Sequence, residues 1–135
     1  MYQSETSVRV RYGETDQMAY VYYGNYAMYY EVARVESLRR LGVTYKELEA
    51  NGVMMPVLEN HSRFLLAARY DELLRITTTI RQMPTVKIKF EYEIFNEDNK
   101  LIHQGETTLA FVDQKNGRPC RPPEVMTKVL EPFFT

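Results

Sequence analysis

At 135 residues, 44% apolar and 26% charged, the chain is sized for about one folded domain and is compositionally neither disordered nor fibrous. Its 17 basic and 18 acidic residues leave a net charge of −1, so no overall field draws it to nucleic acid or an anionic membrane. A lone cysteine, Cys120, excludes an internal disulfide framework and a cysteine-based zinc site, and no run approaches the ~20 apolar residues of a membrane helix.

The first segment lacks the charged-then-apolar order of a signal peptide, so a reducing cytoplasm is the expected location. In "SVRVRY", Val8, Val10 and Tyr12 fall on one side and Arg9 and Arg11 on the other, which predicts a short half-buried strand. Two acids, Glu14 and Asp16, then precede a dense run of tyrosines: Tyr20, Tyr22, Tyr23, Tyr26, Tyr29 and Tyr30. A helix is expected from Gly24 and Asn25 to Leu41, stopped by Gly42, giving ~18 residues and ~27 Å. Ala27, Tyr30, Ala33, Val35, Leu38 and Leu41, widened by Met28 and Val32, make it apolar on most sides, so other structure should wrap it. Glu31 with Arg34 and Glu36 with Arg40 have helical pairing distance.

Thr44 and Glu47 have capping-box spacing and predict a short second helix ending at Gly52. "VMMPVLENHSRFLLA" reads as extended, with Pro56 off a central ladder position. The clearest alternation follows: Leu74, Ile76, Thr78 and Ile80 share one face, as do Val86, Ile88, Phe90, Tyr92 and Ile94. These two strands form a hairpin around "MPT" with one dry and one wet face. "NEDNK" turns into a strand from Leu101 to Val112, and Pro122 or Pro123 opens a final helix that Pro132 ends. One residue range, 1–135, thus holds a single α+β domain: an antiparallel sheet of about five strands curled around one long helix.

Asp16 has two readings on chemistry alone, a cap for the following helix or half of a catalytic site. Acids near a helix start usually cap it, yet Gly24 and Asn25 sit closer and suit capping better. Glu14 and Thr15 suit an orienting role, bonding backbone groups of the loop. His61 and His103 lie on expected strands, far apart and without metal-ligand spacing, and read as ordinary strand residues. Glycine-rich phosphate loops, G-x-S-x-G, H-E-x-x-H and C-x-x-C are all absent from the sequence.

"RYGETDQMAYVYYGNYAMYYEVAR" resembles the hotdog-fold acyl-CoA thioesterases of the 4-hydroxybenzoyl-CoA thioesterase family. The shared pattern is Arg11-Tyr12, Glu14-Thr15-Asp16, an aromatic seven residues on at Tyr23, and a Tyr-rich helix closing on Glu31 and Arg34. "RFLLAARYDELLRI" and "GETTLAFVDQKNGRPCRPP" extend the likeness over nearly the whole chain. The resemblance implies hydrolysis of an acyl-CoA without metal or redox cofactor, in a homodimer or homotetramer whose sites draw on both chains. It also implies that Asp16 is the catalytic carboxylate, as base or nucleophile, and that the backbone N–H of Tyr23 binds the thioester oxygen. Tyr22 or Tyr23 is then a candidate for the acyl pocket, and Arg69, Arg118 and Arg121 for CoA phosphates, with a solvated basic loop as the alternative for the last two.

Departures from the family pattern are Ala19, where a glycine is usual, and Leu66-Ala67-Ala68, where Arg-Pro-Ala is usual. Two rivals stay open: a hydratase or dehydratase of acyl thioesters, which needs a His–acid pair, and a hotdog protein that binds acyl-CoA or an acyl carrier without turnover.

Overall fold

The computed structural model describes all 135 residues. An eight-residue strand, β1 (Tyr2–Arg9), leads through a 3-10 turn at Tyr12–Glu14 and a loop to a second 3-10 turn at Tyr23–Asn25. Helix α1 (Tyr26–Arg39) and the short α2 (Tyr45–Ala50) follow, then β2 (Val53–Met54) and β3 (Val57–Phe64). Strands β4 (Leu73–Ile80), β5 (Lys87–Phe95), β6 (Leu101–Ala110) and β7 (Val112–Asp113) precede α3 (Glu124–Leu130). A five-stranded antiparallel sheet in the order β1-β4-β5-β6-β3 carries the fold, and β2 pairs with β7 beside it.

Alternation aligns the sheet. Leu74, Ile76, Thr78 and Ile80 are buried on the same face as Ile88, Phe90, Tyr92 and Ile94, and α1 packs into that concavity. The helix buries Tyr26, Tyr29, Tyr30, Ala33, Arg34, Ser37 and Leu38, whose i, i+3, i+4 spacing marks one helical face. Tyr30 reaches deepest. Its ring stacks on Tyr92 at 4.4 Å, and its hydroxyl bonds Ser62 Oγ at 2.6 Å and His103 Nε2. This hotdog arrangement, a curled sheet around one helix, is the one expected.

Several local expectations need correction. The helix has 14 residues: Tyr23–Asn25 winds as a 3-10 turn before it, and it ends at Arg39, two residues short of Leu41. Gly42, at φ +87°, closes its other end as expected. Met28 and Val32 lie off the buried stripe, 52% and 43% exposed. Arg34 lies on the stripe, so it is buried and donates to the Tyr92 hydroxyl at 3.4 Å in place of pairing with exposed Glu31. Glu36 pairs with Arg39, not Arg40.

The first strand lies further toward the N-terminus than its arginines suggest. Tyr12 is 77% exposed at the start of its turn, because Glu14 accepts the Arg11 N–H and folds the backbone there. Thr44 caps α2 through the Glu47 N–H at 3.1 Å. Pro56 separates β2 from β3, with a register shift just beyond it. Strand β3 is exposed at every residue and forms an open edge of the sheet. Val57, Leu58 and Phe64 present apolar side chains along it and Leu65 and Leu66 just beyond it, a conspicuous liability for an unpaired edge.

Candidate active site

The site begins with the five residues between Thr15 and Val21. Those two form an isolated antiparallel bridge, so the segment between them is a tight loop. Asp16 donates its N–H to the Tyr20 carbonyl at 3.0 Å, and its own carbonyl accepts the Ala19 N–H at 3.0 Å. Asp16 Oδ1 accepts the Met18 N–H at 2.8 Å, as a short acid does at a turn. Closing the loop puts Ala19 at φ +66°, in the left-handed region. Glycine takes that conformation freely and alanine does not, so the departure noted in the sequence is a strained residue in the fold.

Glu14 holds the base of this loop. Its carbonyl accepts the Tyr22 N–H at 2.9 Å and the Asn25 side-chain amide at 2.8 Å. Its carboxylate accepts the Tyr29 hydroxyl at 2.9 Å and the Arg11 backbone N–H at 2.8 Å. Burial pushes the Glu14 carboxyl up, but the donors of Arg11 and Tyr29 outweigh it and leave the group below its ordinary value. Asn25 donates its own N–H to the Tyr22 carbonyl at 2.9 Å. Between these two, the amides of Tyr23 and Gly24 have no acceptor in the protein, as the geometry of a helix start dictates.

A groove of about 350 Å³ opens beside the loop, lined by Asp16, Met18, Tyr20, Val21, Tyr23, Tyr26, Phe64, Leu65, Leu66 and Ala67. Asp16 is the one carboxylate on its walls. Tyr26 and Phe64 carry no site role in the sequence reading, and Leu66 and Ala67 stand out there only as a departure from the family's Arg-Pro-Ala; the i, i+3 spacing of Tyr26 and Tyr29 is the available signal. Behind the groove, His103 stacks on Tyr26 at 4.0 Å and meets Phe64 edge-on at 4.9 Å. Burial drives its pKa down to about 4, so the imidazole is neutral at neutral pH. His61 pairs across β3 and β6 with Glu106, out of step with the concave-facing Ser62 and Phe64, so no His–acid pair enters the groove.

The remaining candidates scatter. Tyr22 is 47% exposed, its ring 4.7 Å from that of Tyr23, and it does not line the groove. Arg69 sits at the loop, donating to the Ala19 carbonyl at 3.4 Å with its guanidinium 6.0 Å over the Tyr20 ring. Arg118 and Arg121 lie elsewhere. Leu65 and Leu66 bond Ile102 at one end of β6, whereas Cys120 bonds Phe111 beyond the other end. Nine residues of strand, a rise of about 30 Å, separate those two attachments, and neither arginine lines the groove.

Residues 10–130 match the family model described as the thioesterase-like superfamily. The acyl-CoA thioester hydrolase YbgC of Escherichia coli is 33% identical over 112 residues, 83% of this chain and 84% of that protein. The YneP protein of Bacillus subtilis is 31% identical over 121 residues, 90% of this chain and 88% of that protein. Among solved structures, the DHNA-CoA thioesterase of Staphylococcus aureus aligns with a TM-score of 0.86 at 31% identity, covering 99% of this chain and 85% of that one.

Proposed function

The chain belongs to the thioesterase-like superfamily, and on that premise we propose that it hydrolyses an acyl-CoA to a free acid and CoA. The observation that carries the reading is that Asp16 and Tyr23, whose amide has no acceptor in the protein, both line one apolar groove.

A thioester carbon seated there has a carboxylate on one side and N–H donors on the other. Asp16 takes a proton from water, or attacks directly to form an anhydride that water then opens. Either way the carbonyl oxygen gains negative charge, the Tyr23 N–H stabilises it, and the C–S bond breaks to release CoA with a proton on sulfur. Losing an oxyanion donor costs on the order of 3–4 kcal/mol of barrier in a well-studied hydrolase. The apolar walls favour an apolar or aromatic acyl group over a charged one.

The proposed active unit is a homodimer. Pairing the open β3 edges antiparallel about a two-fold axis sets the partner's Val57 end beside the Phe64 end. That arrangement covers the apolar edge and carries Arg118 and Arg121 of the partner subunit toward the groove, where guanidinium groups suit CoA phosphates. Arg69 joins them from the same chain, and Tyr22 faces the boundary between subunits. A single domain working in the cytoplasm completes the reading.

Ala19 favours a second reading, an acyl-CoA binder whose loop is too strained to turn over. Thiol release measured over short, long and aromatic acyl-CoAs separates the two. Turnover that collapses in Asp16→Asn supports hydrolysis; tight binding without release supports the binder; undiminished turnover in Asp16→Asn overturns the mechanism.

A further inference from the structure

We propose that Glu14, anchored on Tyr29, is a positioning residue that holds the Asp16 loop against the Tyr23–Gly24 amides. This rests on the thioesterase reading above and adds a residue to it that touches no substrate.

Glu14 stands two residues before Asp16, and every polar atom it carries is engaged, its own N–H on the Arg11 carbonyl at 3.0 Å. The carbonyl holds the Tyr22 N–H and Asn25 Nδ2, at 2.9 and 2.8 Å. Carboxylate Oε1 accepts from the Arg11 N–H and the Tyr29 hydroxyl, at 2.8 and 2.9 Å; Oε2 accepts from Arg11 Nε and Nη2, at 3.1 and 3.0 Å. One residue therefore ties the segment just after β1, the loop and the first full turn of α1.

The partners are not equal. The Arg11 side chain is 74% exposed, so its ion pair is screened by water and is worth little. Tyr29 is 3% exposed, and its ring meets the groove-lining Tyr26 edge-on at 5.6 Å. The buried Glu14–Tyr29 bond is thus the rigid member of the clamp. Because the Glu14 carbonyl consumes the Tyr22 N–H, Tyr23 carries the first amide left free at the turn. A shift of Glu14 moves that amide and Asp16 relative to each other, and errors of this size in reacting groups cost heavily in rate.

Glu14→Gln and Tyr29→Phe test the clamp with nearly unchanged volume. The glutamine amide would set a donor against the Arg11 donors, and the phenylalanine removes one bond. Both are expected to lower kcat about tenfold or more while KM for the acyl-CoA moves less than about twofold. In an Asp16→Asn background Glu14→Gln should add less than about threefold, because the two residues serve one step. Amide exchange at Tyr22, compared with Tyr92 in β5, should quicken about tenfold or more in Tyr29→Phe. Equal rate losses in both backgrounds, or Tyr22 protection that does not change, would overturn the clamp. Full turnover in Asp16→Asn would instead remove the catalytic assignment of Asp16, with the exchange data still deciding whether Glu14 fixes the turn.

Discussion

The hydroxyl of Tyr30 occupies the space that a side chain at position 105 would need: a Cβ built on Gly105 would lie 2.0 Å from that oxygen and 2.3 Å from the ring carbon bearing it. The glycine lets the helix settle into the sheet and set its first turn against the groove.

Gly105→Ala should therefore destabilise the fold. Tyr30 is fully buried against Tyr92 and His103 and has little room to yield, so overpacking of about 1–3 kcal/mol is expected, read as a lower urea midpoint at unchanged slope. Loss of turnover should accompany it, because a displaced α1 carries its N-terminal turn along. A midpoint equal to wild type would mean that the helix is not fixed by this contact.

Ala19→Gly should act in the opposite direction. Left-handed alanine costs roughly 1–2 kcal/mol, and the greater freedom of an unfolded glycine returns part of that, so a net gain of about 0.5–1 kcal/mol is expected. Equilibrium unfolding reads the difference. A destabilised variant would show that the loop gains nothing from relief at this position.

Acid should weaken the fold in two separable windows. The unfolded His103 imidazole takes a proton near its ordinary 6.5, while the folded one resists until about 4. The unfolded chain thus binds more protons across that interval, and stability falls as pH drops through it, by up to about 3 kcal/mol. Glu14 has the depressed pKa of a well-bonded carboxylate, so its contribution is present above the ordinary value of 4.5 and is lost below it. Between pH 6.5 and 4.5 the loss should belong to the histidine and disappear in His103→Gln. Melting curves across that range decide the point; an identical slope in the variant would contradict it.

The β3 edge offers a test of assembly. Leu58 is 50% exposed there and does not line the groove. If the sites draw on both subunits as proposed, Leu58→Glu should shift sedimentation toward monomer and reduce turnover in parallel. Activity that persists in a monomeric variant would count against shared sites.

If CoA is held across that interface, Arg121→Ala should raise KM for acyl-CoA several-fold, on the order of one charge-assisted hydrogen bond. An acyl-pantetheine, lacking the nucleotide phosphates, should be indifferent to the change. Equal effects on both substrates would place Arg121 away from the phosphates.

Much of this architecture is legible in the sequence because alternation is a local property. The inward faces of β4 and β5 follow from it directly, as does the left-handed stop at Gly42. What escaped was non-local. Arg34 reads as a surface pair for Glu31, yet its place on the Tyr26–Tyr30–Ser37 stripe buries it against Tyr92. Arg118 and Arg121 look like neighbours of the site only until the strand between them and the groove is given its length. One wall of the groove, Leu65–Ala67, comes from the segment after β3, which no periodicity marks, and the acceptor role of Glu14 depends on a tyrosine fifteen residues away.

A guanidinium sealed beneath the sheet with no carboxylate beside it also constrains how α1 may sit. Slipping the helix by a turn would lift Arg34 from the Tyr92 hydroxyl and bring Leu38 or Tyr30 into its place, stranding a charge in hydrocarbon. Wrong alignments of the helix are thereby penalised more sharply than oil-like packing alone would penalise them, so this one cation acts as an index mark for the whole assembly of helix and sheet.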